Sequence, residues 1–292
     1  MTKKIGIGKA HSKIILMGEH SVVYGFPAIA LPLKDIEVTC LIQEAKEKLQ
    51  FDFYDTLSTA IYSALDFLQI KDKPISYEII SQVPQKRGMG SSAAVSIAAI
   101  RAVFDYFDQP INDALLEVLV NKAEIIAHTN PSGLDAKTCL SDHAITFIRN
   151  VGFESLTINL DAYLVIADTG IHGHTREAVD KVAKFEESNL PHLTCLGQLT
   201  EEVYRAIISK DREAMGRAMT QAHQELKAIG VSIEQSDLLV QEALAHQALG
   251  AKMSGGGLGG CIIALAATAK DADTICEKLL EKGAVNTWIQ KL

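Results

Sequence analysis

The sequence predicts a two-domain α+β protein, and three observations predict it. The chain has 292 residues, which suits about two domains at roughly 100–200 residues each. Strand-like and helix-like segments follow one another along the first half, and the second half is more helical. The composition shifts around residues 150–165 with no Pro- or Ser-rich linker, which places an N-terminal domain at 1–160 and a C-terminal domain at 161–292. At 48% hydrophobic and 22% charged, with a mean hydropathy of +0.12, the chain is not largely disordered.

The elements follow in order. Lys13–Met17 (KIILM) is a short apolar, β-branched run and reads as a strand. Asp35–Gln43 and Phe51–Tyr54 read as further strands. Asp55–Ile70 is an amphipathic helix, with Leu57, Ile61, Leu65 and Leu68 on one face. Ile75–Ser81 returns to a strand pattern. A glycine-rich turn at Gly88–Ser92 opens an Ala-rich segment reaching Phe107, whose small residues allow a helix to pack closely on a sheet. Asn112–Thr129 is another helix, ended by Asn130-Pro-Ser-Gly133. Ala144–Ile148 and Tyr163–Ala167 read as strands. Thr200–Ser209, Asp211–Ile229 and Ser236–Ala248 carry helical periodicity; Met215, Met219, Ala222, Leu226 and Ile229 form a stripe expected to be core. Cys261–Ala266 reads as a strand, Asp271–Lys282 as a helix and Asn286–Ile289 as a last strand.

Charge and cysteines narrow the function classes. With 28 Lys and Arg against 36 Asp and Glu, the net charge is −8, a poor match to binding nucleic acid through bulk charge. Any anion must be held by local groups. The five cysteines form no CxxC pair and are odd in number, so neither a disulfide framework nor a zinc knuckle is expected. Residues 1–13 lack an apolar core, so no signal peptide is expected, and no run approaches the length of a membrane span. The expected setting is the cytoplasm, with no nucleic-acid or membrane partner.

Three segments carry chemistry, and each has a plainer reading. Pro84-Gln-Lys-Arg-Gly-Met-Gly-Ser-Ser-Ala-Ala94 puts two glycines and two serines before a helix. Glycines let amides turn toward a ligand, and the helix N-terminus suits phosphate; the plainer reading is a turn with a serine N-cap. It is neither a Walker A loop nor a dinucleotide fingerprint. In the second segment, Ala10–Gly25, an apolar strand is bracketed by Lys13 and by Gly18-Glu19-His20; the plainer reading is a solvated strand end. In the third, Lys252-Met-Ser-Gly-Gly-Gly-Leu-Gly-Gly-Cys261, five glycines in six positions suggest close approach to a ligand or to another segment, against a tight inter-strand loop. Glu124 and Asp135 are acids that a loop brings to one cavity, or else ordinary surface residues. His172 and His174 form an HxH pair with no evident third ligand.

Taken jointly, K-x₄-G-E-H-x-V-V, P-x₃-G-x-G-S-S-A-A, E-x₁₀-D with N-P-S-G-x-D, and K-x-S-G-G-G-x-G-G resemble the GHMP small-molecule kinases, from Lys13 to Cys261. Two positions depart from the pattern. Lys86, followed by Arg87, stands where that family has its first loop glycine, and Gly256 stands where alanine is more usual. The resemblance implies an N-terminal ribosomal-protein-S5-domain-2-like domain that binds nucleotide and substrate, and a C-terminal ferredoxin-like α/β sandwich. Gly18–Val23 is closest to the branch acting on mevalonate. That implies ATP-dependent phosphorylation of its primary (5-)hydroxyl, in the route to isoprenoids. Alternatives are another kinase of the scaffold, acting on phosphomevalonate or homoserine, or a non-catalytic nucleotide- or metabolite-binding relative.

By the same resemblance, Gly88, Met89, Gly90, Ser91, Ser92 and Ala93 hold the ATP phosphates, and Ser92 and Glu124 hold Mg²⁺. Asp135 and Lys13 form the catalytic pair. Glu19, His20 and Arg176 bind substrate, Arg176 at its carboxylate. Ser254, Gly255, Gly256 and Gly257 form a supporting loop. The implied partners are mevalonate and ATP, with a homodimer left open.

Overall fold

The computed structural model describes residues 4–70, 72–128 and 133–292. The chain divides into two compact units, Met1–Lys13 with Pro32–Gln85 and Gly90–Asp142, and Ile14–Leu31 with Lys86–Met89 and His143–Leu292.

The first unit takes residues 5–13 of β1 (Ile5–Met17) and 32–44 of β2 (Ala28–Glu44), with β3 (Ile75–Ser81) antiparallel to β2 from Val38↔Ser81 to Glu44↔Ile75. Early β1 alternates exposed and buried residues, as a half-buried strand must. Helix α1 (Thr56–Phe67) starts at Asp55, whose carboxylate accepts the Ser58 amide at 2.7 Å. Phe51–Tyr54, expected as a strand, is instead irregular and turned: the Asp52 carboxylate accepts the Tyr54 amide at 2.8 Å, a local turn that competes with a strand, and the Phe51 and Phe53 rings meet Tyr62 edge-on at 5.1 and 4.9 Å. Helices α2 (Ser91–Tyr106) and α3 (Asp113–His128) pack on α1 and on each other, and α4 (Leu134–Leu140) follows. The small residues of α2 serve close packing: a Cβ on Gly8 would lie 2.0 Å from the Ala98 carbonyl oxygen. Asn130–Ser132, part of the expected helix stop, lie outside the described residues.

In the second unit, residues 28–30 of β2 pair with β4 (Ala144–Ile148), which pairs with β5 (Gly152–Leu156). A four-stranded antiparallel sheet has the order β7-β8-β6-β9, with β6 at Tyr163–Asp168, β7 at Gly250–Ser254, β8 at Cys261–Ala266 and β9 at Asn286–Lys291. Helices α8 (Glu234–Ala245) and α9 (Ala269–Glu281) cover it, burying Leu239, Val240, Ile275 and Leu279 against Val165, Ile262 and Ala264. Each of these leucine, isoleucine and valine side chains contributes roughly 1.5–3 kcal/mol by leaving water. Helix α5 (Thr175–Lys184) leads into α6 (Glu186–Ser209), which packs along α7 (Arg212–Ala228). The stripe Met215, Met219, Ala222, Leu226 and Ile229 is buried, as its periodicity predicts. Elements α4, α5, β5 and β7 are additions to those the periodicity predicts.

Candidate active site

In the first unit, β1 carries Lys13 and α4 carries Asp135. The Lys13 Nζ lies 2.8 Å from Asp135 Oδ1; the lysine side chain is 2% exposed and the aspartate 32%. Gly90 makes this possible. Its φ is +69°, and a Cβ there would lie 2.8 Å from the Lys13 Cγ, so any other residue would obstruct the lysine. Gly90 also precedes α2, and no side chain caps that helix. The serine N-cap of the plainer reading is therefore not formed. A helix start with its amides and partial positive charge suits an anion.

In the first turn of α2, the Ser92 hydroxyl donates to Glu124 Oε2 of α3 at 3.2 Å. Burial pushes the Glu124 carboxyl up to about 7; the Asp135 charge adds to this, while the Ser92 hydrogen bond and Lys13 oppose it. A hydroxyl beside carboxylates that repel one another is a hard-oxygen set that fits Mg²⁺ together with phosphate and water. Among the described residues, no group of three or more His, Cys, Asp or Glu forms a metal cage by itself.

In the second unit, Glu19 and His20 follow β1. Glu19 is buried and takes an ion pair from Lys252 of β7, which also donates to the Met253 carbonyl at 2.7 Å. Burial pulls the Lys252 ammonium below its ordinary range, against the pull of Glu19. His20 has φ +61°, a strained conformation for a residue with a Cβ. Its Nε2–H donates to the Gly256 carbonyl at 2.8 Å, which fixes the tautomer. Burial lowers its pKa to about 4; the Gly256 bond opposes this and the Lys252 charge adds to it. The Ser254 hydroxyl donates to the Ile15 carbonyl at 2.7 Å. Gly256 is required where alanine is more usual: a Cβ would lie 2.2 Å from the Thr175 hydroxyl oxygen. Arg176, next in α5, is exposed in its first turn.

The start of the phosphate-loop candidate also lies in this unit. Lys86 has φ +57°, the left-handed conformation that a glycine adopts without strain. The guanidinium of Arg87, the cation that follows Lys86, is engaged by Asp168 at the end of β6, with Nε 2.7 Å from Oδ1. Gly88 packs against Gly255, with the Gly88 Cα 3.2 Å from where a Gly255 Cβ would stand.

Lys252 and Asp168 are the residues that sequence reasoning did not assign. The signal was present for both: a charge inside a motif for Lys252, and an acid closing the apolar run YLVIAD for Asp168.

Residues 58–142 match the GHMP kinases N terminal domain and residues 203–285 match the GHMP kinases C terminal domain. The chain belongs to the GHMP kinase family. Within that family it is similar to mevalonate kinases. It is 32% identical to that of Thermococcus sibiricus, over 89% of each chain, and 32% identical to that of Pyrococcus abyssi, over 90% of this chain and 89% of the other. The crystal structure of L. major mevalonate kinase in complex with R-mevalonate superposes with a TM-score of 0.84 at 26% identity, covering 100% of this chain and 96% of that one.

Proposed function

We propose that this enzyme transfers the γ-phosphoryl group of ATP to the 5-hydroxyl of mevalonate, giving 5-phosphomevalonate and ADP. The observation that carries the chemistry is the Lys13–Asp135 contact, a buried ammonium 2.8 Å from a carboxylate that is still a third exposed. The hydroxyl oxygen forms a bond to the γ-phosphorus as the bond to the bridging oxygen of ADP breaks. Its proton goes to Asp135. An aspartate is a weak base for an alcohol, but the transition state is loose and the proton leaves late. Asp135 therefore acts first by orienting the hydroxyl. Lys13 steadies the carboxylate and the oxygen that develops charge.

Gly88–Ala93 and the start of α2 hold the ATP phosphates by backbone amides. Ser92 and Glu124 hold Mg²⁺, which when bound neutralises phosphate charge. Arg176 pairs with the substrate carboxylate, a bidentate contact that selects an acid, and Glu19 and His20, fixed by Lys252 and by the Gly256 carbonyl, shape the substrate site from behind. Ser254–Gly257 supports them. Among the described residues, no helix is long and apolar enough to cross a membrane. The five cysteines stand as free thiols, which supports a place in the cytoplasm.

A coupled assay for ADP release, run on purified protein with ATP, Mg²⁺ and R-mevalonate, tests the reading. Phosphomevalonate, homoserine and galactose serve as parallel substrates. Turnover with R-mevalonate should exceed each of the others at least a hundredfold. Equal or greater turnover with any of them overturns the substrate, and no turnover with all four overturns catalysis.

A further inference from the structure

We propose that Arg87 is a positioning residue for nucleotide binding, which through Asp168 fixes the chain immediately ahead of the Gly88–Ala93 loop. The proposal rests on reading that loop as the ATP phosphate site. Three segments of the second unit meet at this point. The Arg87 side chain is 11% exposed and Asp168 5%, with Nε 2.7 Å from Oδ1. Arg87 Nη2–H donates to the Gly170 carbonyl at 3.0 Å, and Asp168 Oδ1 also accepts the Gly170 amide at 2.8 Å. The guanidinium and the turn after β6 are thus tied to one carboxylate.

The backbone is tied as well. The Lys86 carbonyl accepts the Gly173 amide at 2.8 Å. Gly260 lies so close that a Cβ there would sit 3.0 Å from the Arg87 carbonyl oxygen. Gly260 is in turn held through its own carbonyl, which accepts the Thr169 amide at 3.0 Å and the Thr169 hydroxyl at 2.7 Å. A lysine in the left-handed region persists only where its surroundings over-determine the backbone, and these contacts do so at Lys86. Where the family pattern has a glycine, this chain has a left-handed lysine followed by a buried arginine strap.

The consequence falls on ATP. Arg87 is adjacent to Gly88, and a small displacement of amides aimed at phosphate weakens all of them together. The guanidinium is neutralised by Asp168, so it acts through geometry and not as a phosphate ligand. The two roles predict opposite results for Asp168→Asn: releasing a phosphate ligand would leave ATP binding unchanged or tighten it, whereas loosening a strap weakens it.

The experiment measures, on the full chain, KM for ATP and for R-mevalonate, kcat, ADP affinity by calorimetry and the melting temperature. Arg87→Met and Asp168→Asn should each raise the ATP KM and the ADP Kd tenfold or more, with the mevalonate KM within twofold. Arg87→Lys keeps a charge on Asp168 without the Gly170 contact and should fall between. An ATP KM within twofold of the parent in both Arg87→Met and Asp168→Asn, whatever their melting temperatures, overturns the proposal, as does tighter ADP binding in Asp168→Asn. If Arg87→Met does not fold, Asp168→Asn and Arg87→Lys decide by the same thresholds. Ser92→Ala runs in parallel. If it weakens ATP binding while the Arg87 and Asp168 variants do not, the strap alone is wrong; if none of them does, the reading of the loop is wrong.

Discussion

Two buried lysines hold carboxylates that differ in exposure. Lys13–Asp135 in the first unit leaves its carboxylate 32% exposed, whereas Lys252–Glu19 in the second is 0% and 1% exposed. An open pair can exchange a partner: water or a hydroxyl reaches Asp135 without the fold changing. A sealed pair cannot, because separating it strands a charge away from water. The same two chemical groups are therefore chemistry in one place and scaffold in the other, and exposure decides which.

The largest expected effect separates them by activity. Asp135→Asn keeps an oxygen for Lys13 but a far weaker acceptor for a hydroxyl proton, so kcat should fall roughly a thousandfold with the ATP KM within threefold. Steady-state kinetics check this, and near-normal turnover removes Asp135 from the chemistry. Stability separates the pairs the other way. Lys252→Met leaves the Glu19 carboxylate buried without its cation and should cost about 3–5 kcal/mol in urea unfolding. Adding Glu19→Gln should recover part of that loss, and a cost under 1 kcal/mol for the single variant would show the pair is not sealed in solution.

Acid should find the sealed side. His223 of α7 is buried beside β7: the Met253 amide donates to its Nδ1 at 3.3 Å, and its Nε2 faces Asp237 Oδ1 at 3.2 Å. Burial lowers its pKa to about 4; Asp237 opposes the shift, while Lys252 and Lys227 add to it. A histidine near 6.5 unfolded and near 4 folded binds more protons unfolded, so its neutral form supports the fold above pH 6.5. That support is lost as pH falls from 6.5 toward 4. The loss is roughly 3 kcal/mol by pH 4. Unfolding curves at pH 7 and pH 4 for the parent and for His223→Gln isolate it from His20, which shifts the same way, and the variant should flatten the dependence by about that amount. The smallest effect is at the loop entrance. Lys86→Gly should relieve the left-handed strain and change stability by about 1 kcal/mol or less.

Much of the fold was legible because it is written in local periodicity. The α7 stripe and the β3 run sit where their spacing put them. Strand β7 was not legible, because a lysine at its centre reads as a loop until its partner is known. That partner, Glu19, is 233 positions away. Phe51–Tyr54 misled in the opposite sense: aromatic residues suited to a strand pack instead on Tyr62. Helix α5 is highly charged and buries only Ala178 and Val182, so it offers little pattern to read. At the site, the residue types were legible from spacing and family resemblance. Which charges are neutralised by neighbours was not, since that is set by contacts such as Arg87–Asp168 that no local pattern encodes.

The separation of Glu19 from Lys252 also sets a schedule for synthesis. At roughly 5–20 residues per second, the lysine is made on the order of 10–50 s after the glutamate. Throughout that interval the segment after β1 carries a carboxylate whose burial is not yet favourable. The second unit joins residues 14–31 to residues 143–292, so it can close only after the later stretch has been made. A ribosome stalled before residue 252 would hold a nascent chain whose Glu19 remains in water.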